Sequence, residues 1–580
     1  MTLKFRCLRL FSVRQALAAV AIGLLPVACA SSQVAIGGGA AEIKPGQTLT
    51  GNYLAARHAS KIRQDSEAAM FLLSALDSSP DDPVLVNRAY LTLLLDGRVP
   101  EAVVLAKKVI ETNPKATLAQ VVVAIDDIRA GRFAEADERL AALPEGRISL
   151  FLSKLLRSWT LYGLDKPEQG IAELEVLANQ QGLETLYNLH AALISDAAGN
   201  KEEALRFARE AAKGERLSLV LVQLMGGVFE RDGAAEEARA LYQRYLDDHP
   251  GSAMIAAAMD GVNENAVHPR EIDTAAAGAA LGLFDAVGAL SRQNTSETAL
   301  VLGQLGLHLQ PDFPALQMLV ADLMETLERR EQANQLYATV DRASPLSRQA
   351  RLNIALNLNR MDRFDEASEQ LRALAEEYSD DPEPLVDLGD ILRSREQFDE
   401  AVEAYDSAFD RIPELKPYHW RLLYARGIAL ERAKSWPRAE KDFLKALEFE
   451  PDQPFVLNYL GYSWIEQGNN LEEAQAMIRK AVEQRPDDGY IVDSLGWAYY
   501  QVGKYEDAVR ELERAVELRP EDAVINDHLG DAFWAVGRTR EARYQWTRAL
   551  GLEPDPELKT KLEDKLDNGL VKEANAASHE

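Results

Sequence analysis

Alanine returns in this chain in one fixed phase. Ala68, Ala102 and Ala136 stand 34 residues apart, as do Ala204 and Ala238, then Ala299, Ala333, Ala367 and Ala401, then Ala474, Ala508 and Ala542. Gly170 fills the gap between Ala136 and Ala204, and Ala439 joins the series at slightly longer steps. Twelve residues after ten of these alanines stands a proline: Pro80, Pro114, Pro250, Pro311, Pro345, Pro413, Pro451, Pro486, Pro520 and Pro554. A fixed period of this length means one supersecondary unit stacked many times. Each unit touches only its neighbours, so 580 residues can form one array rather than several globules.

The unit is clearest at 489–522, GYIVDSLGWAYYQVGKYEDAVRELERAVELRPED. Val492, Leu495, Gly496 and Tyr499 fall on one side of a first helix. Val502-Gly503-Lys504 supplies a turn, and Ala508, Leu512, Ala515 and Val516 line a second helix. Pro520 ends the run because it has no amide hydrogen to donate. Gly496 and Ala508 are small where the two helices must approach, and a larger side chain would force them apart. The frame recurs at 523–556 and around Leu460-Gly461 with Ala474 and Ala481.

This pattern resembles the tetratricopeptide repeat, with LG, an aromatic, Ala and Pro at the family's offsets. The resemblance implies an all-α fold, a right-handed superhelical solenoid of about 14 helix–turn–helix repeats with a C-terminal capping helix. Arrays of this kind are binding surfaces more often than reaction vessels. The sequence divides into a degenerate array at 51–250, an irregular helical pair with an inserted loop at 251–293, and a second array at 294–555. The phase breaks in the middle segment, where 61 residues separate Ala238 from Ala299; it reads as a joint or as a contact site. Residues 556–580 read as a capping helix, with Leu558, Leu562, Leu566 and Leu570 on one stripe, followed by a disordered tail.

The N-terminus carries an address. Residues 1–28 hold four cations, no acid and an apolar stretch from Ala16 to Leu25, the signature of a signal peptide. LLPVAC resembles a bacterial lipobox, which makes Cys29 the candidate lipidation site; Pro26 departs from the pattern. Once the leader is removed, Cys29 has no cysteine partner in the chain. By the lipoprotein sorting rule, Ala30 implies the outer membrane; a soluble periplasmic product is the alternative. Residues 29–50 have linker composition, and no segment outside the leader is long and apolar enough to span a bilayer.

The formal charge of −28 repels phosphate backbones, so nucleic acid is not an expected partner. No HExxH, Walker loop or GxSxG is present, and the histidines are scattered among repeats, where they read as surface or turn residues. The chain therefore reads as non-enzymatic, with no metal and no cofactor. In the resembled family the first helix of each pair lines the binding groove. That phase places Asp390 and Arg393, then Arg421, Tyr424 and Glu431, then Phe455, Asn458 and Tyr462 in the row. Tyr490, Asp493, Trp497 and Tyr500 follow, and Asp527, Asp531 and Trp534 complete it. Large aromatics concentrate at binding hot spots. Asp493 and Asp527 are expected to turn away a carboxylate end and to favour an extended peptide or a basic segment.

GNYLAARHA, DSLGW and HLGDAFWAVGRTREARYQW resemble bacterial outer-membrane repeat lipoproteins. One branch of that group tethers a carboxyl-terminal processing protease and presents cell-wall hydrolases to it. The resemblance implies an envelope adaptor for periplasmic proteins or peptide segments. The alternative is a part in a polysaccharide-export or outer-membrane assembly machine.

Overall fold

The computed structural model describes residues 44–144, 147–180, 182–214, 217–263, 268–291 and 295–570. The predicted leader, Cys29 and the tail beyond 570 lie outside the described residues. The described chain is helical, with no strand. Its helices group into two compact units that divide between Ala367 and Ser368.

The N-terminal unit holds α1 (Leu49–Lys61), α2 (Asp65–Ser78), α3 (Pro83–Leu95), α4 (Val99–Thr112), α5 (Thr117–Arg129), α6 (Phe133–Ala141), α7 (Arg147–Gly163), α8 (Pro167–Ala178) and α9 (Glu184–Ala197). It continues with α10 (Lys201–Ala212), α11 (Leu219–Arg231), α12 (Ala235–Asp248), α13 (Ala253–Asn263), α14 (Ala275–Ser291), α15 (Ser296–Leu309), α16 (Pro314–Thr326), α17 (Arg330–Tyr337) and α18 (Ser347–Arg360). The helix α19 (Phe364–Glu377) carries the boundary. The C-terminal unit adds α20 (Glu383–Ser394), α21 (Phe398–Asp410), α22 (Trp420–Arg432), α23 (Trp436–Phe449), α24 (Pro454–Glu466), α25 (Leu471–Gln484), α26 (Gly489–Gln501), α27 (Tyr505–Leu518), α28 (Ala523–Ala535), α29 (Thr539–Leu550) and α30 (Pro556–Asn568).

The repeat phase has a steric cause. All thirteen alanines of the series have zero exposed surface. At Gly170, which interrupts the series, a Cβ would sit 2.5 Å from the Ser158 carbonyl oxygen, so even alanine is too large there. Pro80, Pro114, Pro311, Pro451, Pro486 and Pro520 each stand two residues before a helix N-cap. Asp82 follows Pro80 and accepts the Val84 and Leu85 amides at 2.8 and 3.1 Å; Asp522 follows Pro520 and accepts the Ile525 amide at 3.0 Å. These caps satisfy donors that the first turn leaves open.

A second periodicity is conformational. Arg63, Gly97, Gly131, Asp165, Gly199 and Gly233 all take positive φ, between 59° and 84°, in the turn between the two helices of successive pairs. They are spaced by the same 34 residues.

The described residues of the stretch 251–293 pack into the N-terminal unit. Here α14 lies against α7 and α5, and α15 lies against α3 and α5. Those partners are first helices of earlier pairs. The helix α14 is apolar almost all round, the pattern of a helix with no solvent face. At Gly278 a Cβ would fall 1.9 Å from the Trp159 ring, so glycine is what lets α14 seat on α7. Trp159 is fully buried and donates from Nε1 to His190 Nδ1 at 2.9 Å; His190 Nε2 lies 3.1 Å from Asp285 Oδ2 on α14. With Nδ1 accepting, the imidazole proton sits on Nε2 and points at the carboxylate. The sequence reads His190 as a surface or turn residue. The structure corrects this: its exposure is zero, and it bridges α7, α9 and α14.

The loop before α14 is tied down as well. Asp196 accepts from Arg231 Nη2 at 2.8 Å and from Arg270 Nε and Nη2 at 3.0 Å. Burial alone would raise the Asp196 carboxyl; the bonds from Arg270 and Arg231 outweigh it and hold the group below its ordinary value. The predicted linker also ends in fixed structure, because the Asn52 side chain bonds both the amide and the carbonyl of Gly46.

Candidate partner-binding face

In the C-terminal unit the first helices of successive pairs lie side by side: α20 beside α22, α24 beside α26, and α26 beside α28. The row read from the sequence sits on these helices, and the structure sorts it into separate groups.

On α20, Asp390 accepts from the Tyr405 hydroxyl at 2.6 Å and from Arg393 Nη2 at 3.1 Å. Arg393 Nε reaches the same hydroxyl at 3.2 Å. Burial opposes the Arg393 charge, but Tyr405 and Asp390 outweigh it, so the guanidinium is held above its ordinary value. This group is closed on itself.

On α22, Tyr424 packs 6.1 Å from both Phe443 and Tyr459, and burial pushes its hydroxyl up to about 12. The Tyr459 hydroxyl donates to Glu431 Oε2 at 3.1 Å. On α24, Asn458 keeps a buried Oδ1 with no hydrogen-bond partner. Tyr462 is half-buried, and burial, then Glu466 and Asp493, raise its hydroxyl.

The largest group spans α24, α26 and α28. Trp497 stacks on Tyr500, with ring centroids 4.8 Å apart and planes 7° from parallel, and on His528 at 4.0 Å and 14°. Trp497 Nε1 donates to Glu466 Oε1 at 2.5 Å. His528 Nδ1 lies 3.0 Å from Asp493 Oδ1. Burial pulls the His528 pKa down, but the Asp493, Asp527 and Asp531 carboxylates outweigh it and raise the imidazole above its ordinary value. A cationic ring on an indole face gains a cation–π attraction.

Beside it, Lys565 of α30 reaches Asp527 Oδ1 and Oδ2 at 2.7 and 2.9 Å and Asp531 Oδ2 at 2.8 Å. Asp531 Oδ1 accepts from Trp546 Nε1 at 2.9 Å. Burial first, then the Asp527 charge, raises Asp531 to about 6 against the opposing pull of Lys565. Trp534 packs 5.3 Å from Trp546, and Gly569 at positive φ closes against its ring.

The structure thus brings Asp493, Trp497 and Tyr500 together, and pairs Asp527 with Asp531. Arg421, Phe455 and Tyr490 stand apart from these groups. Arg421 is exposed against Trp420, Phe455 lies under Arg485, and Tyr490 lies under Arg519 with 42% of its surface open. Two residues that organise the face were missed. His528 read as a surface or turn residue, yet it is 93% buried. Lys565 was absorbed into a capping helix; its place three residues after Leu562 put both on one helix face, which was the available signal. The acids are also not free. Asp493 is met by His528, and Asp527 and Asp531 by Lys565. A bare negative charge on these helices is therefore not what a carboxylate end would meet.

Among the described residues, no cluster of three or more His, Cys, Asp or Glu is placed to hold a metal ion, and no helix is long and apolar enough to cross a membrane.

Two stretches of the C-terminal unit match known families: residues 386–454 match the tetratricopeptide repeat, and residues 496–537 match a TPR repeat. Over 151 residues the chain is 26% identical to a TPR repeat-containing protein of Pseudomonas aeruginosa; the match spans 26% of this chain and only 25% of that relative. Among solved structures, it is similar to the APC/C hetero-tetramer Cut9–Hcn1, with 14% identity, coverage of 90% of this chain and 96% of that one, and a TM-score of 0.37. It is also similar to YrrB, a TPR protein with an unusual peptide-binding site, with 19% identity, 34% and 99% coverage, and a TM-score of 0.27. The fold is an all-α array of repeats of this type.

Proposed function

We propose that this chain is a non-enzymatic scaffold that grips a segment of another protein on the first-helix face of its C-terminal unit. The stack of Trp497 on Tyr500 and His528 carries the reading. Its rings are fixed in place by Glu466 and Asp493 before any partner arrives. A rigid aromatic ledge binds with little loss of side-chain freedom, which is why such residues dominate interface energetics.

In its narrower form the scaffold is an exported outer-membrane lipoprotein anchored through Cys29. There it tethers a periplasmic carboxyl-terminal processing protease and presents cell-wall hydrolases to it. The support for this form is the leader and lipobox-like sequence and the resemblance described above. Service in a polysaccharide-export or outer-membrane assembly machine is the second form. Co-precipitation of the full chain with each candidate class separates them, with Trp497→Ala and Tyr500→Ala as the binding-defective control. The control should lose about 2 kcal/mol of affinity for each anchor removed. Unchanged capture by a folded double variant rejects this face as the site. Mass spectrometry of the mature N-terminus tests the anchor: an acylated Cys29 supports it, and an unmodified Ser31 start removes it.

A further inference from the structure

The chain is strongly acidic, yet one recess in the N-terminal unit reverses the sign. It has a volume of about 430 Å³ and is lined by parts of α1, α2, α3 and α15 and by the turn between α16 and α17. Five cationic side chains line it, Arg57, Lys61, Arg63, Arg88 and Arg329, against two carboxylates, Asp65 and Glu297. The elements that shape it come from the two ends of the unit. Arg63 Nη1 donates to the Leu327 carbonyl at 2.9 Å, and Arg329 Nη1 donates to the Leu95 carbonyl at 3.2 Å.

The charges in this recess do not cancel. Arg329 takes up Asp65, with Nη2 2.5 Å from Oδ2. Arg63 is held by a carbonyl, which leaves its charge uncompensated. Among the described residues, none of Arg57, Lys61 and Arg88 is in an ion pair; Arg57 and Lys61 sit one turn apart on α1, and Arg88 leans on the Tyr53 ring at 5.4 Å. Glu297 is exposed, and Asp96 lies within electrostatic reach of Arg329, so the cations still outnumber the carboxylates by five to three. A second sign is internal. Arg329 is only 6% exposed, and its buried Nε has no hydrogen-bond partner. Buried donors in folded proteins are rarely left unmet unless something else supplies the acceptor.

The geometry points to a binding site for a ligand that carries two or more closely spaced anionic groups, phosphate or carboxylate. Guanidinium forks match both groups through paired hydrogen bonds. The volume falls within the usual range for small-ligand sites. The surrounding negative field disfavours anions elsewhere on the surface, so this recess is where one would settle. The site lies in the other unit from the proposed partner face and does not depend on it.

Three probes test it with the full chain at low ionic strength, where screening is weakest. Pyrophosphate and citrate are titrated calorimetrically, and vesicles with and without cardiolipin are co-sedimented. Binding of pyrophosphate or citrate with a dissociation constant below about 1 mM supports the site and identifies a free ligand. Vesicle binding that needs cardiolipin, whose headgroup carries two phosphates, supports it and identifies a lipid headgroup. In either case Arg57→Glu with Arg88→Glu should weaken binding about tenfold or more. Lys559→Glu, a surface change in the other unit, should leave binding unchanged. Arg57→Gln with Lys61→Gln serves as a second variant if the first alters the far-ultraviolet circular dichroism. Failure of all three probes overturns the proposal, and so does binding that the recess variants leave intact or that Lys559→Glu weakens equally.

Discussion

Both units present the first helices of successive pairs, but they use them in opposite ways. In the N-terminal unit, α3, α5 and α7 are covered by α14 and α15, and the polar groups along the seam are spent inside: Trp159 on His190, His190 on Asp285, and Asp196 on two arginines. Among the described residues of the C-terminal unit, no helix covers α22, α24 and α26 in this way. Their aromatics are held in place from the sides, and only the far end meets α30 through Lys565. The difference follows from composition. Apolar residues fill α14 almost all round, which leaves it no stable place except an interior; α30 buries one leucine, Leu562, and most of its other residues are charged. One construction can thus bury its first-helix face or leave it uncovered.

Tryptophan replacements separate the two uses most sharply. Trp159→Ala should remove about 4 kcal/mol from the N-terminal unit, as a lost aromatic core residue does. Calorimetry should show one transition falling while the other stays. A loss under about 1 kcal/mol would mean that α14 is not core.

Lys565→Met should be next, at about 3 kcal/mol, because it takes from two buried carboxylates the ammonium bonded to both. Exchange of the α30 amides should speed up. The Asp531 carboxyl, now at about 6, should titrate higher, because Lys565 is what pulls it down. An unmoved Asp531 titration in the variant would contradict the cluster as described.

Trp497→Ala should lower the melting of its unit by only about 1 kcal/mol, the size of an aromatic stacking contribution. Its main effect should fall on partner affinity. A stability loss as large as that of Trp159→Ala would make Trp497 a core residue and break the contrast.

His528 supplies a pH test. Its folded pKa lies above the ordinary 6.5, so the stabilisation linked to its protonation is complete below 6.5 and is lost as pH rises through the folded value. Denaturant melts of the C-terminal unit across that range, compared with His528→Asn, should show a slope in the parent that the variant lacks. The smallest expected effect is Glu396→Gly. Glu396 holds φ of 61°, so glycine should stabilise its turn by about 0.5 kcal/mol, read as a small rise in the denaturation midpoint.

The sequence carried the repeat because sterics wrote it there. A position that must have zero exposure against a crossing helix accepts alanine or glycine and little else, so the period survives where other positions drift. The turn residues are harder to read: Arg63 and Asp165 occupy the same left-handed position as Gly97 and Gly131, and nothing in their side chains announces it. The row of groove residues could be placed on the correct helices from phase alone. Their partners could not. His528 meets Asp493 from 35 residues away, and Lys565 meets Asp527 from 38, so each contact depends on how neighbouring pairs pack. The place of α14 was hidden for the same reason. Its apolar composition says that it is buried, but only the packing shows that α7 and α5 bury it.

The burial of α7 by α14 sets an order of events during synthesis. The last residue of α7 is Gly163, and α14 begins at Ala275. At translation rates of roughly 5–20 residues per second, the early pairs wait on the order of ten seconds for the helix that completes them. Over that interval their apolar flank is bare, and shielding it falls to whatever meets the nascent chain.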